Sequence, residues 1–80
     1  MATLRLFAAA REAAGTGQAQ FPGDTVGAVL ANAVAAYGDG FQAVLGNCRL
    51  WVNGDQAMAD TAVSSADEVA VLPPVSGGST

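Results

Sequence analysis

The chain has 80 residues, of which 51% are hydrophobic, so it can form one small domain with a modest core. Its net charge of -4 includes only three arginines and no lysine, which excludes the clustered cations that nucleic-acid binding needs. It has no histidine and only one cysteine, Cys48, which excludes an internal disulfide, a cysteine-rich metal site and the usual nucleophile and base pairs of an active site.

The chain begins with two predicted strands. Residues 3–8 alternate, with two leucines on one face and Phe7 on the other, which is the period of a strand. Residues 9–15 are good helix formers but fill only about two turns, so we expect a loop there with a short helical turn. Residues 18–21 alternate weakly and stop at Pro22-Gly23, which predicts a short second strand that pairs back on the first.

The clearest predicted helix follows Asp24-Thr25, because either residue can cap a helix start by accepting a bond from an early backbone N–H. Apolar residues then recur at the spacing of an amphipathic helix, at positions Val26, Val29, Leu30, Ala33, Val34 and Tyr37. Gly38 is expected to end this helix. Residues 41–45 are predicted to form a further short turn that packs on the core.

The second half of the chain carries three predicted strands. Residues 49–52 form the first, and Asn53-Gly54 after it is a strong two-residue turn signal because both residues tolerate a positive φ. Residues 56–58 are expected to form a short returning strand, and a polar connection follows it. Residues 68–72 are largely apolar on both faces, so we expect the last strand at the centre of a sheet.

The order strand, strand, helix, strand, short strand, strand favours an α+β fold of the β-grasp, or ubiquitin-like, type. In that fold the first and last strands lie parallel at the centre of a mixed sheet, and one main helix packs on one face. We assign residues 1–72 to this domain and residues 73–80 to an extended, flexible tail. No apolar stretch approaches the ~20 residues of a membrane span, so we expect a cytoplasmic protein without a membrane partner.

The tail contains two pairs of residues that favour insertion into another protein. Pro73 and Pro74 hold the backbone extended and lack N–H donors, so the segment should leave the last strand as a stiff stem. Gly77 and Gly78 have no Cβ, so their backbone can pass through a narrow slot. Residues 71–78 can span about 25 Å at roughly 3.3 Å per extended residue. The alternative interpretation is a frayed end, which Gly and Ser commonly form.

Four segments together are more specific than the glycine pair. They read Leu-Arg-Leu-Phe at 4–7, Arg-Glu-Ala-Ala-Gly at 11–15, Val-Asn-Gly at 52–54 and Asp-Glu-Val-Ala-Val-Leu-Pro-Pro-Val-Ser-Gly-Gly at 67–78. In this order they resemble the MoaD family, the small subunit of molybdopterin synthase, one of the ubiquitin-like sulfur carriers of the MoaD/ThiS type. The resemblance covers almost the entire chain.

The resemblance implies a function in molybdenum cofactor biosynthesis. A MoeB-type activating enzyme would use ATP to adenylate the terminal glycine carboxylate, and a sulfur donor would convert the glycyl adenylate to a thiocarboxylate. The tail would then enter the large subunit of molybdopterin synthase and donate sulfur to cyclic pyranopterin monophosphate. The chain would be a non-catalytic, sulfur-donating subunit without a permanently bound cofactor, and the catalytic residues are expected on the large subunit.

By position, the resemblance also assigns roles to residues of this chain. Gly78 would bear the adenylate and then the thiocarboxylate, with Gly77 as its slim neighbour. The inserted stem would be Leu72, Pro73, Pro74, Val75 and Ser76. We expect Phe7 and Arg11 to join Leu72 in docking on the partner, since large apolar residues and arginine commonly anchor interfaces. The alternatives are a core aromatic for Phe7 and a solvated loop charge for Arg11.

Ser79-Thr80 departs from the family pattern, in which the second glycine is normally the last residue. An amide between Gly78 and Ser79 offers no carboxylate to adenylate, so we hypothesise that a C-terminal peptidase removes the two residues. The competing explanations are a remnant of cloning and a homologue without carrier function.

The sequence leaves three further points open. The same acyl chemistry serves carriers that supply sulfur for thiamine, cysteine or other metabolites. A non-catalytic interaction module could use the β-grasp surface alone. Cys48 precedes an apolar run, so we expect a buried structural residue there in preference to a reactive thiol.

Overall fold

The computed structural model describes residues 1–73, and within them the chain forms five strands and three helices. In chain order these are β1 Ala2–Leu6, α1 Ala8–Ala14, β2 Gln18–Phe21, α2 Val26–Tyr37, α3 Asp39–Leu45, β3 Arg49–Val52, β4 Asp55–Ala57 and β5 Glu68–Leu72. None of the helices in this part of the chain is long and apolar enough to cross a membrane.

The five strands form one mixed sheet in the order β2-β1-β5-β3-β4. β1 and β5 run parallel at its centre, with Leu4 opposite Val69 and Leu6 opposite Val71, whereas every other neighbouring pair is antiparallel. A parallel pair needs a crossover connection, and the helices between β1 and β5 supply it. The predicted β-grasp fold is confirmed, and so is the central position of the last strand.

The core lies between the sheet and the helices. It contains alternate residues of β1 and β5, the inward stripe of α2 and one residue of α3, and its largest fully buried side chains are Phe41, Leu4, Leu6, Val26, Val29, Val69 and Val71. Phe21, Tyr37 and Phe41 pack edge to face, with successive ring centroids 5.7 Å and 5.1 Å apart. The period of two in the strands and of 3.6 in the helix therefore directs one face of each element into the same core.

α2 begins and ends where its sequence predicts. The Thr25 hydroxyl accepts a hydrogen bond from the Ala28 N–H at 3.1 Å, and Gly38 ends the helix with a φ of 93° that favours glycine. The first two N–H groups of α2 donate to carbonyl oxygens of the loop between β4 and β5, which ties that loop to the helix start. Gly23 packs against the first turn of α2, where a Cβ on it would come within 2.6 Å of the Val29 nitrogen.

Several predicted boundaries were wrong. Residues 9–15 were predicted as a loop with a short helical turn, but the two-turn helix α1 covers most of them, because its alanines favour helix and Ala10 is fully buried. The first strand ends at Leu6 instead of residue 8, since Ala8 has a φ of 51° and leaves the extended region. The turn predicted over residues 41–45 is part of α3, so two short helices accompany the predicted main helix.

The Asn53-Gly54 turn joins β3 and β4 as predicted, with a φ of 51° at Asn53 and 90° at Gly54. A two-residue turn pairs the residues on either side of it, so Val52 lies opposite Asp55. The returning strand therefore covers Asp55–Ala57, one residue earlier than predicted.

Candidate functional site

The central strand β5 finishes at one end of the sheet, which we call the exit end. Because β1 runs parallel to β5, Phe7 follows β1 at the same end. Arg49, the first residue of antiparallel β3, lies opposite Leu72, the last residue of β5. Phe7, Leu72 and Arg49 thus mark the place from which the chain continues through Pro73.

One face of the sheet is covered by the helices, and we call the other the open face. Its residues alternate along the strands with those that enter the core, and all of them are exposed or half-buried. They are Thr3 and Arg5 of β1, Gln18 and Gln20 of β2, Arg49 and Trp51 of β3, Gln56 of β4, and Glu68, Ala70 and Leu72 of β5.

The apolar residues of the open face gather toward the exit end. Trp51 lies opposite Ala70, and Leu72 follows two residues further along the same face; all three are half-buried. Phe7, directly after β1, is 38% exposed. We call Phe7, Trp51, Ala70 and Leu72 the exit patch. Aromatic side chains on an uncovered sheet are typical of a protein-docking surface.

Phe7 was one of the predicted docking residues, and the structure places it at the surface and not in the core. The Arg5 guanidinium carbon lies 5.8 Å from the centroid of its ring, within the range of a cation–π contact. Arg5 Nη1 also lies 3.3 Å from Glu68 Oε2. The charge of Arg5 is therefore already paired within the open face. The docking role of Phe7 stays a prediction.

Arg11 lies beside the exit patch and not within it. It is an exposed residue of α1, and a Cβ on Gly17 would come within 3.4 Å of its Nε. Gly17 precedes β2, so the Arg11 side chain flanks the exit end on the β2 side, while Arg49 flanks it on the β3 side. Arg11 is exposed, and its docking role stays a prediction.

Of the predicted tail residues, only Leu72 and Pro73 belong to the part of the chain that the structure describes, and both are half-buried. The residues outside it are Pro74, Val75, Ser76, Gly77 and Gly78, together with Ser79 and Thr80. The stem and thiocarboxylate roles given to them stay predictions.

Trp51 and Arg49 were not predicted as site residues, although they lie on the open face next to Leu72. The sequence pattern places these two residues only on a strand. The alternation of residues 49–52 shows that these two side chains share a face, but the face they share with Leu72 depends on how β3 pairs with β5. That register is a property of the tertiary structure.

The interior of the described residues contains no second candidate site. Residues 1–73 enclose no pocket and hold no group of three potential metal ligands. Cys48 is half-buried, its Sγ donates a hydrogen bond to the Val44 carbonyl at 3.2 Å, and burial raises the pKa of its thiol. A raised pKa disfavours the thiolate, which agrees with the structural role predicted for Cys48.

The end of the sheet opposite the exit end is held by a polar network. Asn53 Nδ2 donates to Asp67 Oδ1 at 2.9 Å, and the Glu68 N–H donates to Asn53 Oδ1 at 3.0 Å. The Ser64 N–H donates to Asp67 Oδ2 at 2.8 Å. The hydrogen bonds from Asn53 and from the Ser64 backbone hold the pKa of Asp67 below its ordinary value. This network fixes the start of β5 against the β3–β4 turn.

Comparison with known proteins identifies related chains. The model of the ThiS family matches residues 4–78. No curated protein matches the sequence. Small archaeal modifier protein 1 (SAMP1) from Haloferax volcanii is 33% identical, over 95% of this chain and 97% of that one, with a TM-score of 0.76.

Two other solved structures have the same fold. SAMP1 from Methanosarcina acetivorans is 29% identical over 96% of this chain and 95% of that one, with a TM-score of 0.86. A complex of subunits 1 and 2 of the molybdopterin-converting factor from Helicobacter pylori contains a chain that is 20% identical. That match covers 96% of this chain and 97% of that one with a TM-score of 0.67, and at this identity it shows the fold alone.

Proposed function

Because the chain belongs to the ThiS family of ubiquitin-like sulfur carriers, we propose that it carries sulfur as a thiocarboxylate on Gly78 and delivers it to a molybdopterin synthase large subunit. The observation that carries this proposal is the position of β5. The central strand runs into the Pro-Pro-Val-Ser-Gly-Gly segment at the end of the sheet that bears the exit patch. The family match, which extends through residue 78, supports Gly78 as the last functional residue.

The proposed chemistry needs a terminal glycine with a free carboxylate. In the activating enzyme, a carboxylate oxygen attacks the α-phosphorus of ATP and pyrophosphate leaves, which gives the glycyl adenylate. A sulfur nucleophile then attacks the acyl carbon and AMP leaves, so a C–S bond replaces a C–O bond. No lysine side chain is present in this sequence to intercept the activated acyl group. The sulfur then passes to cyclic pyranopterin monophosphate on the large subunit.

Activation also requires cleavage after Gly78. In this sequence the Gly78 carbonyl is part of an amide bond to Ser79, and an amide is not a substrate for adenylation. A peptidase that hydrolyses this bond would release the carboxylate. Processing is therefore part of the proposed function.

The test is the mass of the loaded protein. A chain ending at Gly78, incubated with ATP, a MoeB-type activating enzyme and a sulfur donor, should gain the mass difference between one sulfur and one oxygen. The full chain, with the Gly78–Ser79 bond intact, is the matched control and should stay unchanged. The loaded chain should then form molybdopterin when mixed with the large subunit and cyclic pyranopterin monophosphate. Failure to load would contradict the carrier function, and loading without transfer would contradict the pathway alone.

A second candidate function is protein modification. It is favoured by the similarity to SAMP1, which extends over nearly the whole of both chains. The same activated Gly78 would then be attacked by an amine of a target protein, and an amide would replace the acyl phosphate. Epitope-tagged chain expressed in its own cell distinguishes the two. Conjugates joined through Gly78 that survive reducing agents support modification, and their absence contradicts it.

A further inference from the structure

The arginines and most of the carboxylates of this protein are unevenly distributed along the strand direction. Its three arginines all lie at or near the exit end: Arg5 in the last part of β1, Arg11 on the helix that follows β1, and Arg49 at the start of β3. Most of its seven carboxylates lie toward the opposite, far end, and these are Asp24, Asp55, Asp60, Asp67 and Glu68. Of the other two, Glu12 is next to Arg11 on α1, on the exit side, and Asp39 is on α3.

The pairing of the strands establishes the far-end position of those five carboxylates. Glu68 begins β5 opposite Thr3, with Asp67 just before it, and Asp55 lies opposite Val52 at the end of β3. Asp24 and Asp60 lie near the start of α2, which follows the end of β2. The exit end therefore bears Arg11 and Arg49, with Glu12 beside Arg11, whereas the far end bears four carboxylates besides Glu68, which is paired with Arg5.

Two of the three arginines form no ion pair with the part of the chain that the structure describes. Arg5 is paired with Glu68, but Arg11 and Arg49 are exposed and form no ion pair within residues 1–73. They stand on the two sides of Leu72, one toward β2 and one toward β3. The chain thus leaves the sheet between two guanidinium groups that have no carboxylate partner among the described residues, next to the apolar exit patch.

We propose that the protein surface that receives the tail carries carboxylates around its entrance, and that Arg11 and Arg49 pair with them. This inference rests on the proposed function, because it concerns the partner into which the tail is inserted. Guanidinium groups form bidentate pairs with carboxylates, and such pairs at the rim of an interface set its register and its association rate. The far-end carboxylates other than Glu68, which is paired with Arg5, are repelled by the same acidic surface, which favours an approach with the exit end first.

A protein is favoured over other anionic partners. The two free cations adjoin an apolar patch that includes a tryptophan and a phenylalanine, the composition of a protein interface core with a charged rim. Nucleic-acid or anionic-membrane binding depends on a larger cluster of cations than two arginines in a chain of net charge -4.

The experiment measures association of the full chain with the molybdopterin synthase large subunit by stopped flow over a range of salt concentrations. The double variant Arg11→Glu with Arg49→Glu should associate about tenfold more slowly at low salt and lose most of the salt dependence. Glu12→Arg, which adds a cation on the same side, should associate faster. Asp60→Arg makes the same change of charge as Glu12→Arg, but at the far end. It is therefore the matched control for Glu12→Arg. Circular dichroism confirms that each variant is folded.

The outcomes separate this inference from the proposed function. If the wild-type chain forms no complex with the large subunit, this inference and the proposed delivery to that subunit are overturned, whereas the loading of sulfur on Gly78 is not. If it forms the complex but the double variant associates at the wild-type rate with the same salt dependence, only the acidic entrance is overturned. An equal effect of Asp60→Arg and Glu12→Arg would show a dependence on net charge alone and would also overturn it. So would arginine-dependent binding of the chain to anionic phospholipid vesicles in place of the large subunit.

Discussion

The two faces of the sheet contain residues of the same strands but have different physical tasks. Leu6 and Phe7 are neighbours in the chain, yet Leu6 is fully buried under the helices and Phe7 is a surface residue of the exit patch. Val71 and Leu72 show the same division on β5. The covered face holds the fold together, and the open face leaves its apolar area exposed or half-buried. Stability and the proposed docking can therefore be tested separately by substitutions one residue apart.

The largest expected effect is on the covered face. Leu6→Ala removes a fully buried side chain from the centre of the core and should lower the free energy of unfolding by about 3 kcal/mol. Urea denaturation monitored by Trp51 fluorescence measures this change. A loss no larger than that caused by Phe7→Ala would contradict the division between the two faces.

Phe7→Ala tests the open face. The change removes an aromatic side chain from the proposed docking surface, so affinity for the large subunit should fall about tenfold or more, or ~1.5 kcal/mol. Stability should change by less than about 1 kcal/mol, because the ring is a surface group. Isothermal titration calorimetry gives the affinity. Unchanged binding by a folded Phe7→Ala variant would exclude Phe7 from the interface.

Ala8 lies where the chain passes from the sheet to the helix that covers it. Its φ of 51° costs an alanine about 1–2 kcal/mol, whereas the added freedom of glycine in the unfolded chain costs roughly 0.5–1 kcal/mol. Ala8→Gly should therefore raise stability by about 0.5 kcal/mol. Ala9→Gly, one residue later in the same helix, is the matched control and should lower stability. Equal losses in both variants, measured by thermal unfolding, would contradict the left-handed conformation of Ala8.

The smallest effect is expected at the far end, where the polar network touches neither the core nor the exit patch. The Asn53 side chain and the Ser64 N–H hold the pKa of Asp67 below its ordinary value in the folded chain. The resulting stabilisation is present above the ordinary pKa and is lost as the pH falls through the lowered one. Stability of the wild type should thus decline more on acidification than that of Asp67→Asn. Parallel pH profiles for the two proteins in urea unfolding would contradict this role.

Most of the architecture was predictable because local chemistry determines it. Thr25 and Gly38 bound the main helix by capping, the Asn53-Gly54 pair specifies a two-residue turn, and alternation identifies the strands. α1 was predicted only as a short helical turn within a loop, because two turns of alanine have little helical stability by themselves. Packing of Ala10 into the core stabilises them, and no local signal reports that packing.

The features of the candidate site also fall into those that local sequence determines and those that packing determines. The amino-acid sequence alone determined the Pro-Pro stem, the Gly-Gly pair and the family to which the chain is similar, since these are properties of consecutive residues. Only the tertiary structure decided that Phe7, Trp51, Ala70 and Leu72 form one patch, and that Arg11 and Arg49 flank it. These residues lie far apart in the chain, and they meet because the register of β1, β5 and β3 is set by burying the opposite face of the same strands.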